Sequence, residues 1–290
     1  MTLSGLLIID KPVGPTSHDV VARVRRAAGT RRVGHAGTLD PLASGLLLVC
    51  VGGATRLVEY LVGLDKVYET TIRLGQTTTT YDAEGEVTAE HPVTAGEADI
   101  LAALPAFRGI IRQRVPSYSA VKRDGRPLYE RARRGETIEL PQREVMIHTL
   151  ELMAYAPPHL TLRVACSSGT YIRSLAHDLG EALGCGGHVA ALRRTAVNHF
   201  TLDDAVVLDE LTPENVAARL LPLEAIIAHL PRAEFDDMAA AELGFGRRVP
   251  ADAGSPTGDT AAFGPDGRFL GIVAVEEGLW RPKKMMNGVN

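Results

Sequence analysis

The run GLLLVCV, from Gly45 to Val51, carries no charged or strongly polar side chain. A strand with one face in water alternates polar and apolar residues. An unbroken apolar strand is buried on both faces and belongs inside a covered sheet. Directly before it stands GTLDPLAS, and Asp40 is the one acid between Gly34 and Gly52. A carboxylate at the lip of such a strand is costly unless something pairs with it or uses it. Asp-Pro is also a common turn initiator whose side chain caps local N–H groups. Turn residue and working carboxylate are therefore the two readings of Asp40.

The surrounding pattern intermixes strands and helices. GLLIIDK reads as a strand ended by Pro12, Gly14 and Pro15, and Ser17 as the N-cap of a helix from about His18 to Ala28. Arg31 to Ser44 reads as loop, ATRLVEYLVGL as a short helix, and KVYETTIRLG as an alternating, half-buried strand. A turn region (TTTTYDAEGEV) and a helix (GEADILAALPAF) follow, then a basic helix from about Pro127 to Arg134. Two strands meet at Pro157-Pro158, and YIRSLAHDLGEALG is an amphipathic helix with Ile172, Leu175, Leu179 and Leu183 on one face. HVAALRRTAVNHF reads as helix passing into strand, and a further helix is expected near Pro213 to Leu220. From about Ala233, Gly, Pro and Asp turns separate short apolar strands, as in a small barrel-like module. Hairpin signals without a βαβ rhythm favour an α+β fold over a doubly wound sheet. The expected division is a larger unit over 1–232 and a small β-rich one over 233–290.

Charge is unevenly spread. Of 35 acids and 31 Lys/Arg, 15 and 8 fall from Thr201 onward, which leaves 20 and 23 before it. Arg108 to Arg134 holds nine bases against Asp124 and Glu130, and Lys11 to His35 holds six against Asp19. Such blocks on an otherwise acidic chain suit a polyanionic partner. Three widely spaced cysteines, Cys50, Cys166 and Cys185, read as free thiols of a reducing cytoplasm. CGGH alone does not make a metal site, and no Gly-rich phosphate loop follows a strand, so neither metal nor cofactor is expected. No apolar run reaches the roughly 20 residues of a membrane span, and the first residues lack a signal peptide's basic start.

A carboxylate can serve as nucleophile where a glycosidic carbon is attacked, provided a cation keeps it ionised and aimed. CSSGTYIRSLAHDLG places Tyr171 and Arg173 where a helix begins; as isolated residues they read equally as packing and solvated side chains. Tyr68 reads by itself as a strand-face aromatic and His35 as a loop histidine.

Together these stretches resemble the TruB-type tRNA pseudouridine-55 synthases of bacteria. GTLDPLASGLL resembles that family's G-[TA]-L-D-P-x-A-[ST]-G signature. DKPVGPTSHDVV, RRVGHAG, DKVYETTIRLGQTTTTYDAEGE, PSYSAVKRDGRPLYERARRGE, CSSGTYIRSLAHDLG and HVAALRRTAV resemble its other blocks, in the same order. The resemblance runs from about Gly5 to His199, with a weaker match of the tail to an abbreviated PUA module. It implies a pseudouridine synthase fold with a central mixed, largely antiparallel sheet. It implies Asp40 as nucleophile, Arg173 as its ion-pair partner and Tyr68 as a residue stacked on the target base or acting as the base that removes a proton. His35 would meet the extruded nucleotide, Tyr171 and Leu192 would line the uracil pocket, and Asp82 would contact everted nucleotides. Thr79 stands where many relatives carry an aspartate. Lys11, Arg31, Arg32, Lys122, Arg126, Arg131, Arg133 and Arg134 would meet the RNA backbone, with a mobile thumb at about 108–140 closing on the tRNA T-arm. A monomer with no obligatory protein partner is the family expectation.

Two rivals remain open on the residues. A non-catalytic RNA-binding module would carry the same basic blocks. A glycoside hydrolase would need a second carboxylate beside Asp40.

Overall fold

In a computed structural model of the chain, residues 3–119, 122–123, 126–127, 131 and 140–286 are described. The first strand, β1 (Gly5–Lys11), leads into helix α1 (Ser17–Ala27), a two-strand passage β2 (Val33–Ala36) and β3 (Ala43–Val51), and the short helix α2 (Glu59–Val62). Strands β4 (Lys66–Leu74), β5 (Gln76–Thr78) and β6 (Val87–Glu90) precede helix α3 (Glu97–Ala103) and β7 (Gly109–Arg114). A hairpin of β8 (Lys122–Arg123) and β9 (Arg126–Pro127) leads to the long pair β10 (Gln142–Ala156) and β11 (His159–Cys166). Helix α4 (Ile172–Ala182) and β12 (Gly187–Val197) complete the region around Asp40. Two short strands follow, β13 (Phe200–Thr201) and β14 (Val206–Val207).

The principal sheet has the order β14-β1-β3-β12-β4-β11-β10-β7, with β2 on β3 and β13 on β12. Only the β1–β14 and β3–β12 pairs are parallel. The fold is α+β, as the sequence suggests, and β3 lies deep in the sheet. Leu47, Val49 and Val51 face a core built with Val20, Val21 and Val24 of α1 and Leu175 and Leu179 of α4. Leu46, Leu48 and Cys50 face a second core with Leu57, Leu61, Ile226 and Ile227. The unalternating run is buried on both faces because both are covered.

A second sheet joins β15 (Arg232–Glu234), β17 (Thr260–Phe263), β18 (Phe269–Glu276), β19 (Leu279–Met285) and β16 (Val249–Pro250). Its Phe263, Phe269 and Ile272 enter the same core as Leu46 and Leu48. The C-terminal sheet is thus the cover on one side of β3.

Several local expectations are corrected. Thr16, not Ser17, caps α1: its hydroxyl accepts from Asp19 N–H at 3.1 Å while Asp19 accepts from Thr16 N–H at 2.9 Å. The stretch read as loop contains β2, and HVAALRRTAV is strand throughout. The segment near Pro213 shortens to a 3-10 turn at Val216–Arg219. Of the expected basic helix, Pro127 belongs to β9, Arg131 is helical and half-buried, and Arg133 and Arg134 lie outside the described residues.

Candidate active site

Asp40 sits in the loop between β2 and β3, and that loop is fastened at several points. Ser17, the first residue of α1, donates its hydroxyl to Leu39 C=O at 3.0 Å and accepts from Leu39 N–H at 2.9 Å. Gly14 N–H reaches Pro41 C=O at 2.8 Å. Arg194 on β12 is almost wholly buried and donates to Gly37 C=O at 2.9 Å and to Leu46 C=O at 2.7 Å. These bonds hold the aspartate's backbone before any ligand arrives.

The close approach of β3 to β12 depends on Gly45, whose φ of +100° is a conformation L side chains rarely adopt. A Cβ at that position would run into the backbone of Arg194. The pairing places Leu192 beside Ala43 and Arg194 beside Gly45, while β4 brings Tyr68 opposite Arg194. Alternation along β4 turns Lys66 and Tyr68 to the buried side.

Arg173, at the start of α4, is the centre of the arrangement. Its Nε lies 3.1 Å from Asp40 Oδ2 and one terminal nitrogen 3.3 Å from Asp82 Oδ2. The terminal nitrogens also donate to Thr80 C=O at 3.1 Å and to Tyr118 C=O at 2.9 Å. The arginine side chain is 7% exposed, that of Asp82 3%, and that of Asp40 38%. Only the Asp40 end of this ion network opens outward. It faces a cleft of about 690 Å³ that Tyr68, Tyr171, Arg173, Leu192 and Arg194 also line.

The electrostatics follow from the burial. Desolvation pushes the Asp40 carboxyl above the ordinary carboxylate range; Arg173 and Lys11 draw it back, and Asp82 pushes it further up. Burial also raises the Tyr68 phenol, against the opposing pull of Arg194. Lys66, beside Tyr68, is lowered to about 8, first by burial and then by Arg194. Its ammonium donates to Val62 and Leu64 carbonyls at the end of α2.

Asp40, Tyr68, Arg173, Tyr171 and Leu192 therefore share one cleft. Other expected residues are placed elsewhere. Asp82 does not face outward to nucleotides: its carboxylate also accepts from the Thr80 hydroxyl at 2.5 Å and from Glu84 N–H at 3.1 Å, behind Arg173. Lys11 is no backbone-contacting surface cation: it is fully buried, with its ammonium on Pro12 C=O at 2.9 Å and Pro15 C=O at 2.8 Å. His35 stands on β2, outside the cleft lining, edge-on to His18 at 5.7 Å. Arg31 and Arg32 are exposed near the Val51 end of β3, roughly 26 Å of strand from the Ala43 end. Lys122 and Arg126 lie on the β8–β9 hairpin.

Sequence reading missed Arg194, Lys66 and Ser17. Arg194 lies in a stretch composed of good helix formers, and Lys66 in an alternating strand where a lysine reads as a solvated side chain. Ser17 passed for a cap because a polar residue before an apolar period is the usual signal. Among the described residues no group of three or more His, Cys, Asp or Glu is arranged to hold a metal ion. No helix among them is long and apolar enough to cross a membrane.

Comparison with known proteins places the chain in one family. Residues 25–172 match the model of the TruB family pseudouridylate synthase N-terminal domain, and residues 173–228 that of the tRNA pseudouridylate synthase B C-terminal domain. A protein of Arthrobacter sp. (strain FB24) named tRNA pseudouridine synthase B is 48% identical over 97% of this chain and 95% of its own. One of the same name from Xanthomonas oryzae pv. oryzae is 46% identical over 99% of this chain and 96% of its own. Among solved structures, a chain of a Cbf5-Nop10-Gar1 complex aligns with a TM-score of 0.76 at 28% identity, over 97% of this chain and 84% of that one. A chain of an H/ACA RNP bound to a substrate RNA containing 2'-deoxyuridine aligns with a TM-score of 0.73 at 25% identity, over 97% and 84%. With Asp40 and Arg173 paired at the cleft and two contiguous family models spanning most of the sheet, the chain belongs to the TruB family of pseudouridylate synthases.

Proposed function

We propose that the protein isomerises the T-loop uridine (position 55) of tRNA to pseudouridine, with Asp40 as nucleophile. The observation that carries this reading is the Asp40–Arg173 pair, buried on the arginine side and open to the cleft on the aspartate side. The relatives' name supplies the RNA class. The N1–C1′ bond of the uridine breaks, the base rotates, and C1′ rejoins at C5. C5 gives up its proton and N1 gains one, so the reaction needs no redox partner.

Reaching C1′ requires the nucleotide to leave its stack, at a cost of a few kcal/mol. Tyr68, Tyr171 and Leu192 offer the extruded base an apolar, aromatic site. The raised Tyr68 phenol keeps its proton at neutral pH, which favours stacking over proton abstraction as its role. Arg173 holds Asp40 ionised despite its partial burial. Asp82, fully engaged, is not free to serve as the second carboxylate a glycoside hydrolase needs. Residues 1–232 act as the catalytic unit. Residues 233–290 serve as a PUA-like RNA-binding module, and the basic segment at about 108–140 as a thumb that grips the T-arm. The protein acts as a monomer in the cytoplasm.

Tritium release from a C5-labelled, unmodified tRNA transcript tests this. Wild type releases the label, and Asp40→Asn does not, while its tRNA affinity stays within about tenfold, or 1.4 kcal/mol. Release unaffected by replacing the T-loop uridine contradicts the address. Turnover near wild type in Asp40→Asn contradicts the nucleophile.

A further inference from the structure

Tyr81 occupies a conformation that a bulky residue rarely adopts, with φ of +62°. Such a residue persists only where its surroundings over-determine it, and those positions gather at functional sites. Its neighbours on either side are two of the residues that grip Arg173: Thr80 through its carbonyl and Asp82 through its carboxylate. The left-handed turn at Tyr81 presents both to one guanidinium.

The Tyr81 ring lies flat on His177, with centroids 4.0 Å apart and planes 8° from parallel. His177 stands on α4 four residues after Arg173, so the two share a helix face. The loop is thus joined to α4 twice, once by polar contacts at Arg173 and once by a ring stack a turn further on. Its backbone is also laid along β12, with Val189 N–H on Tyr81 C=O at 3.0 Å and Ala83 N–H on Val189 C=O at 2.9 Å.

We propose that the Tyr81–His177 stack is the positioning device that sets the reach of Arg173 towards Asp40. It fixes the spacing between the Thr78–Asp82 turn and α4, and Arg173 is stretched across that spacing before its Nε meets the nucleophile. Tyr81 and His177 touch neither substrate nor reacting atoms; they act through the arginine. The inference rests on the reading of Asp40 and Arg173 given above.

The test is single-turnover tritium release from C5-labelled transcript, with enzyme in excess, in full-length Tyr81→Phe, Tyr81→Ala, Tyr81→Gly, His177→Ala and the Tyr81→Ala/His177→Ala pair. Tyr81→Phe keeps the ring and stays within about twofold of wild type. Tyr81→Ala and His177→Ala each slow the step by about tenfold to a hundredfold, as sub-ångström misplacement does, with tRNA Kd within about threefold. Tyr81→Gly removes the backbone strain yet is as slow as Tyr81→Ala, and the double variant is no slower than either single one. The acid limb of the rate profile moves to higher pH in the slow variants, because Asp40 loses part of its pairing with Arg173. Lys11, Asp82, Glu84 and Tyr68, the other titratable groups facing Asp40, are left in place. So are Arg114, Asp178 and Glu181 around Tyr81. A fold merely loosened would lower the melting temperature without moving that limb. Single-ring variants within twofold of wild type, Tyr81→Gly restored to wild-type rate, or a loss confined to Kd would each overturn the proposal. In that event an active wild type leaves the reading of Asp40 intact, whereas an inactive wild type overturns both.

Discussion

Arg173 arrives at the cleft with its donors already committed to Asp40, Asp82 and two backbone carbonyls. It therefore has little left to offer a phosphate, and we expect its loss to be read in rate rather than in affinity. Asp82→Asn keeps the side-chain shape but removes the charge behind the arginine. We expect it to slow tritium release by at least about tenfold while leaving tRNA Kd nearly unchanged; an equal loss in both would show that Asp82 meets RNA after all. Lys66 gives a second test at this scale. Burial lowers its pKa in the native protein to about 8, below the 10.5 of a lysine in water. Between those values the unfolded chain binds more protons than the native one, so this group makes stability rise with pH. Denaturation of wild type and Lys66→Met from neutral to alkaline pH should show wild type gaining on the variant; parallel curves would contradict the shift. The setting of Asp40 left turn residue and working carboxylate both open, and it was the family resemblance that singled out Asp40, Arg173 and Tyr68 together. The burial of Lys11 and Asp82 was not legible. Asp82 is paired with Arg173, far along the chain, and no local pattern records a partner supplied by another segment. Lys11 folds back onto the carbonyls of Pro12 and Pro15, a satisfaction by backbone that residue type does not announce.

At the scale of elements, β3 was the easiest to read and β12 the hardest. An unbroken apolar run states its own burial. AALRR instead is composed of good helix formers, and only insertion between β3 and β4 makes it a strand. Pairing on both edges overrode an intrinsic preference of a few tenths of a kcal/mol per residue. Gly45 marks where that insertion is tightest. Gly45→Val places a branched side chain at a left-handed position against the Arg194 backbone. We expect a destabilisation of about 2–4 kcal/mol from strain and overpacking together. Thermal unfolding of the two proteins measures it, and a shift near zero would mean that β3 and β12 separate freely.

At the scale of the molecule, the cleft stands on a sheet whose rear face is closed by the C-terminal strands. The strand-rich character of that tail was legible from its turns, but its role as a wall of the main core was not, since burial between distant segments leaves no local period. Basic side chains far from the cleft give a test at this scale. Arg31→Gln with Arg32→Gln should reduce the slope of log affinity against log salt by about one to two, with single-turnover rate at saturation unchanged; an unaltered slope would place the RNA elsewhere. The strand order carries a consequence for how the protein is made. β12 enters between β3 and β4 although most of two hundred residues separate it from the chain's start. While the ribosome is still adding the segment up to Val197, β3, which follows the Asp40 loop, lacks its neighbour on that edge, and Arg194 is not there to brace the loop. Translation thus delivers Asp40 early and the geometry around it late, so a prematurely ended chain would possess that aspartate without the brace that holds its loop.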